Sequence, residues 1–274
     1  MRLFGLMIVL GACSDKGGDS STTGGTTPST ESETTPPTDD TATETTTTTP
    51  PATASVSGTV TTVDGTPVSG ARVNVCRIQC AFTDTDASGN YNIAPLSPWE
   101  AAFYVVPDSD SGLMTQMVLL TLADEEERDL DAVMLEPDKS SPLPATATET
   151  EVAAGVYLTV GADILEPAPL TELGDTFTAA RVPDGMGMPI ELPGTVLGNW
   201  YFGPFEADSE AGVAVRLDNL WGLAAGTSVE VYAMSLPTDY SWLLAGTLTV
   251  GSDGTSLTGD ARLPILTTMV VIQP

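Results

Sequence analysis

The chain has 274 residues, nine cationic side chains against 37 acidic ones, no histidine and a formal net charge of −28. Such a polyanion gains nothing from counterion release, so nucleic acid is excluded as a partner, and an anionic lipid surface offers it no electrostatic attraction. Without imidazole it lacks the usual general base, the commonest metal ligand and every Ser-His or Cys-His nucleophile system. Lys16 and Lys139, the two lysines, stand in low-complexity segments, which argues against a Ser-Lys dyad.

Residues 1–12 read as a signal peptide. Arg2 precedes an apolar run, Leu3 to Leu10, that is too short to span a bilayer as a helix. Leu10-Gly11-Ala12-Cys13 resembles the bacterial lipobox, in which cleavage falls before the cysteine and the thiol carries a diacylglycerol. The resemblance implies a lipoprotein lipidated at Cys13 whose partner is the membrane, reached through the lipid anchor. Acyl chains bury methylenes at about 0.8 kcal/mol each, so several of them hold a protein stably. Ser14 after the cysteine implies, by the same resemblance, sorting to the bacterial outer membrane or cell surface.

Residues 13–53 are nearly all Ser, Thr, Gly, Pro, Asp and Glu, with the run Thr45-Thr46-Thr47-Thr48-Thr49-Pro50-Pro51. Such a segment has no apolar periodicity to offset the entropy of ordering and is predicted to be a disordered tether. Forty residues reach at most about 140 Å fully extended and about 35 Å as a flexible coil. The inferred role is spacing, and the composition also suits an O-glycosylated stalk.

Residues 54–136 show short alternating runs between turn signals. Val56, Gly58 and Val60 are followed by Asp64-Gly65, then Ala71 to Val75, then Asp86 to Asn90 before Tyr91-Asn92-Ile93. Later runs lie at 103–106, 114–122 and 130–135. Strands at this spacing predict a β-sandwich. The ordered segments Val56-x-Gly58-x-Val60, Asp64-Gly65-x-Pro67-Val68-x-Gly70-Ala71-x-Val73 and Thr83-Asp84-x-Asp86-x-x-Gly89-x-Tyr91-x-Ile93 resemble the carboxypeptidase regulatory-like domain, a transthyretin-like sandwich. The resemblance implies a non-catalytic accessory or adhesive module. Leu96-Ser97-Pro98-Trp99-Glu100 departs from the Pro-Gly-x-Tyr-like turn that usually follows in that family.

With Cys13 lipidated, Cys76 and Cys80 remain. An even remainder in an exported chain predicts a disulfide between them, closing a short turn between two strands. Asp84-x-Asp86-x-Ser88-Gly89 begins like a calcium loop, but the position of the bidentate Glu holds Pro95, so a polar hairpin turn is expected. Asp124-Glu125-Glu126-Glu127 is expected as a solvated loop. No metal site and no cofactor is predicted.

Residues 137–148, with Pro142 and Pro144, read as a linker that flexibly joins two domains. A second β-sandwich is predicted over 149–274, from runs at 156–160, 163–165, 213–217, 229–233, 247–250 and 269–272 and a hairpin turn at Asp253-Gly254. Ala154-Gly155-Val156-x-Leu158-x-Val160, Gly222-Leu223-x-x-Gly226-x-x-Val229-x-Val231-Tyr232 and Trp242-x-x-x-Gly246-x-x-x-Val250-x-x-Asp253-Gly254 weakly resemble ZU5-like β-domains, which implies an interaction module.

The class is therefore all-β: a disordered Thr-rich tether, then two β-sandwich domains. The leading function is a non-catalytic, surface-displayed structural or interaction module of the cell envelope, with an envelope protein or a glycan as ligand. A carbohydrate-binding accessory module is the alternative. Trp200, Tyr201, Phe202, Phe205, Trp221, Tyr240 and Trp242 supply aromatics for a sugar face, although core packing is expected for most of them. A histidine-free glycosidase is the third reading. It would need a carboxylate pair among such residues as Glu191, Glu206 and Asp218.

Overall fold

The computed structural model describes residues 53–274, apart from residue 78, 169–171 and 236–240. Residues 1–52, with the expected signal peptide, the expected lipidation site Cys13 and all but the last residue of the expected tether, lie outside the described residues. The described residues are all-β, with no α-helix among them and one 3₁₀ turn at Ser109–Ser111. The first lobe runs through β1 (Ala54–Thr62), β2 (Arg72–Cys76), β3 (Cys80–Asp84), β4 (Asn90–Leu96), β5 (Glu100–Val106), β6 (Gln116–Thr121), β7 (Glu127–Asp129) and β8 (Ala132–Met134). The second contains β9 (Lys139–Pro142), β10 (Thr148–Ala153), β11 (Val156–Val160), β12 (Thr176–Arg181), β13 (Thr195–Gly203) and β14 (Ala207–Asp218). It continues with β15 (Ser228–Ser235), β16 (Ser241–Val250), β17 (Ser256–Gly259), β18 (Arg262–Leu266) and β19 (Thr268–Gln273).

The first lobe is a sandwich of two sheets. One has the order β4-β1-β7, with β8 beside β7 along the same flank of β1; the other has the order β3-β2-β5-β6. Alternation in β1 and β4 sends Val56, Val60, Tyr91 and Ile93 inward, where they meet Val73, Phe103, Val118 and Leu120 of the facing sheet. The turn from β3 to β4 is fixed by Asp86, whose carboxylate accepts the backbone N–H of Ser88 (2.8 Å) and of Asn90 (2.9 Å). Hydrogen bonds from Asn90 first, and then Ser88, hold Asp86 below the usual carboxylate range. Gly89 completes the turn at φ 78°, and a Cβ there would stand 2.4 Å from the Val60 carbonyl oxygen. Only glycine fits both conditions.

The second lobe is one 11-stranded sheet in the order β10-β11-β14-β17-β16-β15-β19-β13-β12-β9, with β18 paired to β14. It folds over until its end strands meet, Lys139 Nζ of β9 lying 3.3 Å from Glu151 of β10. Trp200, Phe202, Leu158, Leu217, Leu248 and Leu257 fill the enclosed core. The run 163–165, expected as strand, is a turn that buries Leu165.

The stretch 137–148, expected as a linker, is built into this sheet. β9 pairs antiparallel with β12, Lys139 opposite Ala179 and Pro142 opposite Thr176. An end strand tolerates Pro142, because one row of its backbone groups needs no partner. Its half-exposed residues carry no apolar pattern, so the segment looks like a linker in sequence.

The expected flexible joint is instead a packed seam, and both lobes belong to one compact unit. β6 is buried on both faces. Val118 and Leu120 point into the first core, while Met117 and Leu119 pack with Ala102 against Met234 of the second lobe. Thr268 Oγ1 donates to the Met117 carbonyl oxygen at 2.5 Å. Beside this contact, Met114 and Leu135 meet Ala180, Val182 and Tyr201. The connection between β12 and β13 reaches back across the seam. Its Met188 is buried in the first core with Ile190 against it, and Glu191 accepts from Arg128 at 3.2 Å.

Candidate functional site

β3 ends one sheet of the first lobe and β4 ends the other, so the sandwich is open along this side. Cys76 and Cys80 stand opposite each other in the β2–β3 register and are joined by a disulfide. That bond tightens the intervening turn, where the Arg77 N–H also donates to the Gln79 carbonyl oxygen at 3.3 Å. The turn from β4 to β5 brings Ser97 and Trp99 to the same side. Between them lies a groove of about 440 Å³, walled by Arg77, Gln79, Ser97 and Trp99. Its base is the core itself, through Val75 and Leu96.

Trp99 is 41% exposed, and the Arg77 guanidinium carbon lies 5.0 Å from its ring centre. The guanidinium thus packs on the indole while its N–H groups stay wet. On the outer face of the same hairpin, Arg72 packs over Phe82 at 4.9 Å and pairs with Asp84 at 3.0 Å. An exposed indole, a guanidinium, a primary amide and a hydroxyl around an apolar base make a surface suited to binding.

A larger cavity, about 670 Å³, opens at the seam between lobes and is lined by Asp64, Glu136, Asp138 and Arg181 among others. Part of its polar lining is already engaged, although the buried Arg181 Nε has no hydrogen-bond partner. Asp138 accepts the Arg181 backbone N–H at 2.6 Å, and the Arg181 side chain holds Asp184 at 3.2 Å.

Most of the aromatics expected in the second lobe are core. Trp200, Tyr201 and Phe202 are fully buried. Trp221 packs edge-on against Trp200 at 6.4 Å and donates its indole N–H to the Leu197 carbonyl oxygen at 2.7 Å. Phe205 and Trp242 lie against the seam cluster, and Tyr240 is outside the described residues. Two of the three carboxylates considered for glycoside hydrolysis are held by separate arginines. Glu191 is bound by Arg128 and Asp218 by Arg216 (3.4 Å), while Glu206, at φ 62°, has no ion-pair partner among the described residues. Burial first, and Asp208 second, push Glu206 above the usual carboxylate range.

Asp84 and Asp86, which open like a calcium loop, are taken up by Arg72 and by the turn. In the acidic loop, Glu126 accepts from the Ala123 N–H at 2.7 Å and pairs with Arg128. Among the described residues no group of three or more acidic or cysteine side chains is placed to hold a metal ion.

Trp99 and Arg77 escaped the reading of the sequence. Their signal was a tryptophan inside a Ser-Pro turn, where core packing is not the default, together with an arginine inside a disulfide loop. Joining them requires knowing that the β2–β3 and β4–β5 turns share one end of the sandwich.

No protein-family model matches the chain, and no curated protein matches it. One solved structure that it is similar to is that of a "putative carbohydrate binding protein" from Bacteroides uniformis, 8% identical, with a TM-score of 0.27 over 81% of this chain and 80% of that chain. At that identity and superposition the likeness decides nothing about this chain.

Proposed function

We propose that this chain is a non-catalytic binding protein displayed on the bacterial surface, held at the outer membrane by lipid on Cys13 and spaced from it by residues 14–53. The open groove beside Trp99 carries the binding half of the reading. It offers a flat exposed aromatic with hydrogen-bonding groups around it, and its described lining contains no carboxylate for acid–base work. The anchoring half rests on the lipobox-like Leu10-Gly11-Ala12-Cys13. A glycan is the favoured ligand, because the part of the indole that Arg77 leaves exposed offers apolar surface to the C–H groups of a sugar ring, with the amide of Gln79 and the hydroxyl of Ser97 beside it for ring hydroxyls.

Two experiments test the halves separately. Wild-type protein expressed in a diderm bacterium is expected to take up labelled fatty acid and fractionate with the outer membrane, and Cys13→Ala to do neither. Membrane retention of Cys13→Ala, with no label on the wild type, overturns the anchor. A glycan array with the wild type and Trp99→Ala tests the groove. Retained binding in Trp99→Ala, or glycan turnover abolished by replacing one carboxylate, overturns that part.

A further inference from the structure

We propose that the groove beside Trp99 selects anionic sugars, those carrying a carboxylate or a sulfate, through Arg77; this rests on the glycan-binding reading above. The observation is how the chain spends its cations. Seven cationic side chains belong to described residues, and five of them hold carboxylates. Arg72 pairs with Asp84, Arg128 with Glu126 and Glu191, Lys139 with Glu151, Arg181 with Asp184, and Arg216 with Glu149 and Asp218. Arg262 donates to the Gly212 carbonyl oxygen at 3.4 Å. Among the described residues Arg77 alone has neither ion pair nor side-chain hydrogen bond, and its packing partner is Trp99.

In a chain with 37 acidic side chains, an arginine without a carboxylate is the exception. The contrast lies within one hairpin. Arg72 packs on an exposed aromatic just as Arg77 does, yet Asp84 neutralises it. Arg77 has no such carboxylate and lines a groove of about 440 Å³. The disulfide between Cys76 and Cys80 and the stack on Trp99 restrict the guanidinium, so less freedom is lost when it binds.

A guanidinium presents parallel N–H groups that match a carboxylate or sulfate bidentately. A ring ligand lying along Trp99 with its acidic group toward Arg77 satisfies both features, and Gln79 and Ser97 remain for neutral hydroxyls. An anionic membrane is disfavoured as the source of the charge, because the rest of the molecule repels it.

The test is calorimetric titration of the wild type, Arg77→Gln, Arg77→Lys and Trp99→Ala with trigalacturonate, sulfated galactotriose, neutral galactotriose and hexa-aspartate. At least one anionic sugar is expected to bind about tenfold or more tighter than galactotriose, with the preference lost in Arg77→Gln and partly kept in Arg77→Lys. Which anion binds better identifies the source of the charge, and either result supports the proposal. Wild-type affinity for the anionic sugar is also expected to fall with added sodium chloride, a reading that needs no substitution. Equal affinity for neutral and acidic sugars, or an unchanged preference in Arg77→Gln, overturns the selection by Arg77 and leaves the glycan reading standing. Hexa-aspartate binding as tightly as the sugars makes the occupant an acidic peptide and overturns the proposal. Failure of the wild type to bind any sugar overturns both the proposal and the reading it rests on.

Discussion

Replacing Met188 by alanine tests whether the two lobes fold as one. Met188 belongs by chain to the β12–β13 connection of the second lobe, yet its side chain is 3% exposed and lies among the core residues of the first. Truncating a buried methionine removes its transfer energy and leaves a cavity, together about 2–5 kcal/mol. Ile190 is only partly buried beside it and fills little of the space, so the middle of that range, about 3 kcal/mol, is the expected loss. At a urea dependence of about 2–3 kcal/mol per molar, that loss lowers the midpoint by roughly 1–1.5 M. The assay is urea denaturation followed in parallel by tryptophan fluorescence and far-ultraviolet circular dichroism. Trp99 reports on the first lobe, and Trp200, Trp221 and Trp242 on the second. The wild type is expected to give one coincident transition, shifted as a whole in Met188→Ala. Two separated wild-type transitions, or a variant in which only one lobe moves, would refute the coupling across the seam.

Gly89→Ala is expected to destabilise the first lobe by about 1–3 kcal/mol from its left-handed backbone alone, and by more because its Cβ meets the Val60 carbonyl; a thermal melt measures the loss. Cys76→Ser/Cys80→Ser opens a ring of only five residues, so a loss of about 2 kcal/mol is expected in urea denaturation, together with weaker ligand binding as the Arg77 turn loosens. Glu206 is held above the usual carboxylate range, so the folded protein binds its proton more tightly than the unfolded chain does. The resulting stability is present below the unfolded pKa and is lost as pH rises through the folded one. Glu206→Gln is therefore expected to raise the denaturation midpoint near neutral pH and leave it unchanged at about pH 3. A midpoint that shifts equally at both pH values counts against burial as the cause.

The sequence by itself determined the class and most of the strands. Alternation at Val56/Val60, Val213/Val215/Leu217 and Val229/Val231/Ala233 marks half-buried strands, because a pleated strand repeats its facing every two residues. Asp86 to Asn90 and Asp253-Gly254 mark turns, because side-chain capping and a left-handed glycine are local requirements. The tertiary structure alone decided how these pieces meet. The runs Met117 to Leu120 and Met269 to Ile272 read as strands, but not as the ones that would be buried on both faces. The polar residues 139–142 gave no sign of being β9, since an end strand needs only backbone pairing with β12. The groove is the clearest case. Arg77 and Trp99 lie on different turns, and each alone is an ordinary surface residue. Only the pairing of β2 with both β3 and β5 brings the two turns to the same end of one sheet, where guanidinium and indole stack.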